Sequence, residues 1–259
     1  MEYGICTALT NYQLLEEMGY DYIELSVTAT AALEEGIREE YRKKLEASSL
    51  KCRAFNILFP KTMDLIGGGT KTEEIREYLH QSMAMVKSFG AGTVVFGSGK
   101  CRKCPETMAY GDAYKRLVEV CRMTGEIAGE YGIQIVIEPL SRKETNLICT
   151  MAEGAILEAD VALPNVGLLS DYFHVMANHD QIEDIRAIKN FRHIHIASAD
   201  GRRFPLAENA GEAYREFFQA LKAVGYDGGI SIEGKTEDLA RDGVKALELL
   251  KKLEREIDG

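Results

Sequence analysis

The sequence predicts an α/β fold, a single (β/α)8 barrel domain spanning residues 1–259. Three observations carry that reading. Short β-branched runs alternate with amphipathic helical stretches in eight strand–helix units, with no break in composition between them, and such alternation builds a parallel sheet. Eight units in about 250 residues is the size of a closed barrel. An open, doubly wound sheet would offer a glycine-rich phosphate turn after its first strand. Here that turn is CTALTNY, and GSGK at 97–100 fits neither nucleotide motif.

In chain order, EYGIC at 2–6 reads as the first strand, followed by a helix over 11–18 with Leu14, Leu15 and Met18 on one side. DYIELS at 21–26 is the second strand. Leu33, Ile37, Tyr41 and Leu45 mark an amphipathic helix over 33–47. KCRAFN at 51–56 is the third strand, and a long loop with a glycine triplet leads to a helix over 72–89 that Gly90 stops. Strands follow at 93–99, 133–138, 165–171, 191–198 and 228–234. Helices are expected over 107–130, 150–159 with Thr150 as cap, 180–188, 211–224 and 237–256.

Composition narrows the function. The balance of 31 basic against 41 acidic residues, a net charge of −10, argues against nucleic acid as partner, because phosphate binding needs concentrated positive charge. No apolar run approaches the roughly 18 residues of a membrane span. The N-terminus lacks a basic region before an apolar core, so a signal peptide is not expected, and a cytoplasmic location is. The six scattered cysteines read as reduced thiols, with Cys101 and Cys104 an incidental loop pair that has no second pair to complete a zinc site.

In a barrel, the C-terminal strand ends build the active site. The stretch IQIVIEPLSRKETN ends its strand in Glu138, and a carboxylate at the end of a buried strand is costly unless something uses it. Alternation along the strand places Gln134, Val136 and Glu138 on one face and three isoleucines on the other. The eighth strand repeats the pattern, with Glu233 facing inward; in the seventh, His193 and His195 face inward, His195 nearer the mouth. Asp171 closes the sixth. Glu138, Asp171, His195 and Glu233 thus form a candidate metal set. Three carboxylates and an imidazole suit Mn²⁺, Mg²⁺ or Co²⁺ better than a structural zinc.

EPLSRKETN, Asp171-x-x-His174, HIH with an arginine shortly after, and IEGK together resemble the xylose-isomerase-like TIM barrels. Within them the nearest likeness is to the ketose 3-epimerases typified by D-tagatose and D-psicose 3-epimerase, and it covers all eight units. The resemblance implies one divalent ion, Mn²⁺ first with Mg²⁺, Co²⁺ or Zn²⁺ as alternatives, held by Glu138, Asp171, His195 and Glu233. It implies that Glu138 and Glu233 are the catalytic acid–base pair, and that Glu144 and His174 bind substrate. The family's arginine falls at Arg202, which keeps a three-residue spacing to Pro205, with Arg203 as the alternative because the loop carries one extra residue.

The implied reaction is proton transfer at a carbon next to a carbonyl, through a metal-stabilised cis-enediolate, on a small-molecule sugar or sugar phosphate. A homo-oligomer is compatible with this reading. An aldose–ketose or hydroxypyruvate isomerase, an inosose dehydratase and an endonuclease-IV-like repair enzyme are the rivals. The last needs a histidine-rich site, and this chain has five histidines. Glu24 and Asn56 close strands and either line the pocket or lie outside it. Arg102 is expected to meet a substrate phosphate or solvent. His193 reads as a hydrogen-bonded core residue, and His80, His179 and Lys235 as exposed.

Overall fold

The computed structural model describes residues 1–188 and 190–258. Eight parallel strands close into a barrel in sequence order: β1 Glu2–Cys6, β2 Tyr22–Ser26, β3 Lys51–Asn56, β4 Thr93–Phe96, β5 Gln134–Ile137, β6 Val166–Asp171, β7 Phe191–Ile196 and β8 Gly229–Ile232. β8 pairs back onto β1, with Gly4 beside Ser231. The helices are α1 Tyr12–Met18, α2 Val27–Ala31, α3 Glu35–Ala47, α4 Thr72–Ser88, α5 Tyr110–Glu130, α6 Met151–Val161, α7 Tyr172–Ala177, α8 Tyr214–Ala223 and α9 Leu239–Asp258.

Local chemistry sets the boundaries. Thr150 and Glu153 form a reciprocal capping box at the start of α6. Ile75, Leu79, Met83 and Val86 put one face of α4 into the core. Gly90, at φ 78°, stands just past the end of α4. In the long loop after β3, Asp64 accepts backbone hydrogen bonds from Ile66, Gly67 and Gly69, so the glycine triplet wraps around one carboxylate.

The strands sort their side chains as alternation requires. Ile23, Phe55, Val94, Ile135, Leu168, Ile194 and Ile230 join the core that the helices cover. The barrel interior is divided: Val95, Val136 and Leu169 form a separate apolar cluster under β4–β6. Under β2, β7 and β8 the interior is polar and fully buried, built from Glu24, His193, His195 and Ser231. Gly4 leaves room for the Tyr22 ring, whose hydroxyl shares a 2.8 Å hydrogen bond with Ser231.

Several element expectations change. The segment expected as a helix over 180–188 is a 3₁₀ turn, Ile182–Ala187. α2 and α7 were not expected. VTATA, left unassigned in the sequence, is capped as a helix by Ser26, whose Oγ accepts from the Ala29 backbone N–H. α7 starts directly on the last residue of β6 and is capped by Asp171 itself. β4, β5, β7 and β8 are shorter than expected, although the backbone N–H of Glu138 still donates to Phe96 O at 3.3 Å and that of Glu233 to Ile196 O at 3.1 Å. Both glutamates therefore extend the ladder one residue beyond their strands.

Candidate active site

β5, β6, β7 and β8 each deliver one side chain to the C-terminal mouth. Glu138, Asp171, His195 and Glu233 offer ligand atoms that all lie within 4.8 Å of one another. His195 Nδ1 is 3.2 Å from Glu138 Oε1 and 3.2 Å from Glu233 Oε2. The first three are buried, and Glu233 is partly open to the pocket. Three carboxylates gathered this closely need positive charge among them. Their oxygen-rich donor set fits a hard divalent cation, so the centre is a possible metal site.

His195 Nε2 points the other way, 2.9 Å from Glu24 Oε1. Glu24 also meets His193 Nε2 at 2.6 Å and accepts from Ser231 Oγ at 2.5 Å. A buried carboxylate behind a histidine orients the ring and makes its far nitrogen a better ligand. Burial opposes the charge on Glu24, yet His195 and His193 hold its carboxyl well below the usual range. Burial likewise opposes charge on His195, but Glu24, Cys6 and Glu233 push it well above the ordinary imidazole value. His193 is the buried, hydrogen-bonded core histidine expected, with Nδ1 unpartnered among the described residues.

The two glutamates sit in different fields. Burial pushes the Glu138 carboxyl up, His195 pulls it back, and Glu233 adds to the rise. Burial acts on Glu233 too, but His195 and Arg202 hold it at about 2. Gly97, just past β4, makes the arrangement sterically possible, because a β-carbon there would overlap Glu138 Oε2.

The remaining expected residues face the same cavity of about 440 Å³. Arg202 pairs with Glu233, lies 3.0 Å from Asp171 Oδ2, and approaches Glu144 Oε1 at 3.6 Å. Its guanidinium stacks 4.8 Å above the Phe173 ring. Arg203 instead turns outward to pair with Asp200. Gly201 (φ 70°) and Arg202 (φ 53°) take consecutive left-handed conformations in this loop. His174 Nδ1 accepts from the Ser141 backbone N–H at 3.0 Å, and its Nε2 lies 3.4 Å from Arg202 Nη1 and 3.5 Å from Asp171 Oδ2. Glu144 Oε1 is 3.9 Å from His174 Nδ1.

Arg102 is placed differently from both expectations, buried against main-chain carbonyls rather than lining the cavity or facing solvent. It is 1% exposed and donates to Gly97 O at 2.6 Å, Leu147 O at 2.9 Å and Glu138 O at 2.7 Å. The guanidinium ties together the chain past β4, the chain past β5 and the loop between β5 and α6. Asn56 lines the pocket and donates to Glu233 Oε1 at 2.9 Å. His179 and Lys235 are exposed as expected, whereas His80 is half-buried beside Tyr131 and Glu130. Sequence reasoning left Glu24 open and missed Cys6, whose Sγ is 3.9 Å from His195 Nε2. The signal for both was the inward parity of their strands.

A closed parallel barrel with three carboxylates and a histidine converging at its C-terminal mouth is a (β/α)8 barrel carrying a possible metal site. The chain matches the family described as "Xylose isomerase-like TIM barrel" over residues 12–253, and it belongs to that family. Among curated relatives, it is 28% identical over 159 residues to a probable ketose 3-epimerase of Synechocystis sp., covering 51% of this chain and 53% of that one. It is 31% identical over 124 residues to the D-psicose 3-epimerase of Agrobacterium fabrum, covering 46% and 41%. The matched stretches thus span about half the length of these two relatives. A crystal structure of D-psicose 3-epimerase in the presence of D-fructose superposes with a TM-score of 0.86 at 20% identity, covering 98% of this chain and 99% of that chain. At that identity the superposition establishes the fold.

Proposed function

We propose that the protein is a divalent-metal-dependent sugar epimerase, acting at C3 of a ketose. The observation that carries this reading is the convergence of Glu138 and Glu233, from β5 and β8, on a single ligand cluster at His195 Nδ1. The similarity to ketose 3-epimerases supports it. Bound by Glu138, Asp171, His195 and Glu233, the ion supplies Lewis-acid stabilisation of negative charge on the substrate oxygens. We take Mn²⁺ as the resident ion, on the strength of the oxygen-rich donors. The six free thiols support a reducing, cytoplasmic setting. Among the described residues no helix is long and apolar enough to cross a membrane.

The chain's own groups divide the work. One glutamate takes the proton from C3 on one face of the sugar, and the other returns a proton to the opposite face, which inverts the carbon. His174, Arg202 and Glu144 orient the substrate's oxygens from the β6, β7 and β5 sides of the cavity. Glu24 acts through His195, fixing its ring. The whole activity is proposed for the single domain of residues 1–259.

The test separates metal loss from proton transfer. Glutamine keeps a carbonyl oxygen for the ion but cannot act as a carboxylate base. Glu138→Gln and Glu233→Gln are therefore assayed after their metal content is measured. We expect at least one of them to retain metal while losing about 10²–10⁴-fold in epimerisation rate. A metal-replete variant that epimerises at the wild-type rate would exclude that glutamate and favour the isomerase alternative.

A further inference from the structure

The cavity beside the candidate metal ligands is lined by two chemically distinct sets of side chains, one buried or half-buried and one exposed. Its floor carries Glu138, Glu233, His174 and Arg202. Its rim carries four lysines: Lys61 from the loop after β3, Lys100 and Lys103 from the loop after β4, and Lys143 from the loop after β5. All four are exposed. None of them makes an ion pair or a side-chain hydrogen bond among the described residues.

A single unpaired surface lysine is ordinary. Lysines on the outer helices of this molecule often pair, as Lys44 does with Glu40 and Lys245 with Glu208. Four unpaired amines on one arc of a binding cavity, in a chain of net charge −10, are a different matter. The carboxylates of the same cavity do not neutralise them. Glu233 and Glu144 face Arg202, and Glu138 faces His195.

Topology distinguishes the two sets. In a barrel closed in the order β1 to β8, β4 stands opposite β8. The four candidate ligands come from β5–β8, whereas Lys61, Lys100 and Lys103 ride on the loops after β3 and β4, and Lys143 sits where the two sets meet, on the loop after β5. A substrate whose reacting carbons lie over the cluster extends its far end toward the lysines. A free ketose has no charge to place there. A phosphate monoester carries about −1.5 to −2 charges at pH 7 and three strong acceptor oxygens. Lysine binds phosphate as a point charge, without the fixed geometry that a guanidinium imposes. A local positive rim also reverses the repulsion that the acidic chain exerts on an approaching anion.

We propose that the substrate is a terminally phosphorylated ketose, its phosphate held by Lys61, Lys100, Lys103 and Lys143. This rests on the epimerase reading for the chemistry at the floor. The rim itself is tested by binding, which does not depend on turnover.

The experiment titrates metal-loaded protein calorimetrically with a ketose phosphate, its free parent ketose and a matched sugar acid with a terminal carboxylate. Titrations run at about 20 and 200 mM salt, where screening differs strongly. The phosphate ester is expected to bind at least roughly tenfold more tightly than the free ketose. That preference should shrink at high salt and in the Lys61→Gln/Lys100→Gln/Lys103→Gln/Lys143→Gln protein. Equal affinity for ester and parent would overturn the proposal, and so would a preference that neither salt nor the four substitutions reduce. A carboxylate bound as tightly as the phosphate would overturn it in favour of sugar acids. The same ligands in D₂O report on the epimerase reading separately. Tight, lysine-dependent ester binding without exchange of any carbon-bound proton refutes that reading and leaves the rim assignment standing. Exchange on the free ketose without preference for the ester does the reverse.

Discussion

His195 and Arg202 are the two residues on which the site's electrostatics turn. The imidazole is held between Glu24 on one side and Glu138 and Glu233 on the other, so its ring cannot turn without breaking a charged contact. Arg202 reaches Asp171 and Glu233 from the opposite direction, from a backbone in the left-handed region. Strain of this kind persists where the surroundings over-determine it, and it clusters at functional sites. Arg202→Ala should therefore reduce kcat/KM by about 10²-fold or more, the scale of a lost charged contact to the transition state. Arg203, paired with Asp200 outside the pocket, should tolerate alanine with a change below about threefold. Steady-state kinetics on the two variants would decide this, and equal small effects would show that neither arginine serves the reaction.

At the scale of elements, the site depends on strand ends being held in register by groups that are not in the strands. Arg102 comes from the 3₁₀ turn Gly99–Arg102 and binds three carbonyls, one of them that of Glu138. Arg102→Met keeps much of the volume and removes every donor. Three buried carbonyls would be left unpaired, at a cost of about 3 kcal/mol or more. Urea denaturation should show the midpoint falling by the corresponding amount, and an unchanged midpoint would mean that water replaces the guanidinium. This clamp was illegible in the sequence because its partners are main-chain carbonyls, two of them more than thirty residues away, and carbonyls carry no residue signature. The convergence of Glu138, Asp171, His195 and Glu233 was legible for the opposite reason. Period-two alternation in IQIVIE and GISIE states which face each glutamate takes, and a barrel converts a shared face into a shared point. Glu24 obeys the same parity in YIELS, but a short strand with a bulge in its pairing to β3 gave the pattern too little length to be decisive. The short helices α2 and α7 escaped because each lies within one or two turns of a strand end, too short for a helical period to show.

For the molecule as a whole, the cluster concentrates negative charge inside a barrel whose stability then depends on what neutralises it. A cation that binds the folded chain alone stabilises it by about 2.7 kcal/mol at a hundred times its dissociation constant, which corresponds to a rise in Tm of roughly 5–10 °C at this size. Thermal unfolding with and without Mn²⁺ after chelator treatment should show that rise, and Asp171→Asn should diminish it. An unchanged Tm with every divalent ion tried would remove the metal from the account. The divided interior, apolar under β4–β6 and polar under β2, β7 and β8, is arranged to match: the hydrogen-bonded half, through Glu24, holds His195 of the candidate metal set.

The measurement that bears most directly on the proposed chemistry is proton exchange followed by NMR. Metal-loaded protein is incubated in D₂O with a panel of ketoses and ketose phosphates, and the position of deuterium is read in substrate and product. Transfer between two carboxylates on opposite faces of the sugar predicts deuterium at C3, appearing together with the inverted configuration at that carbon. Deuterium at C1 with formation of an aldose, and none at C3, would contradict the epimerase account and place the chain among the aldose–ketose isomerases.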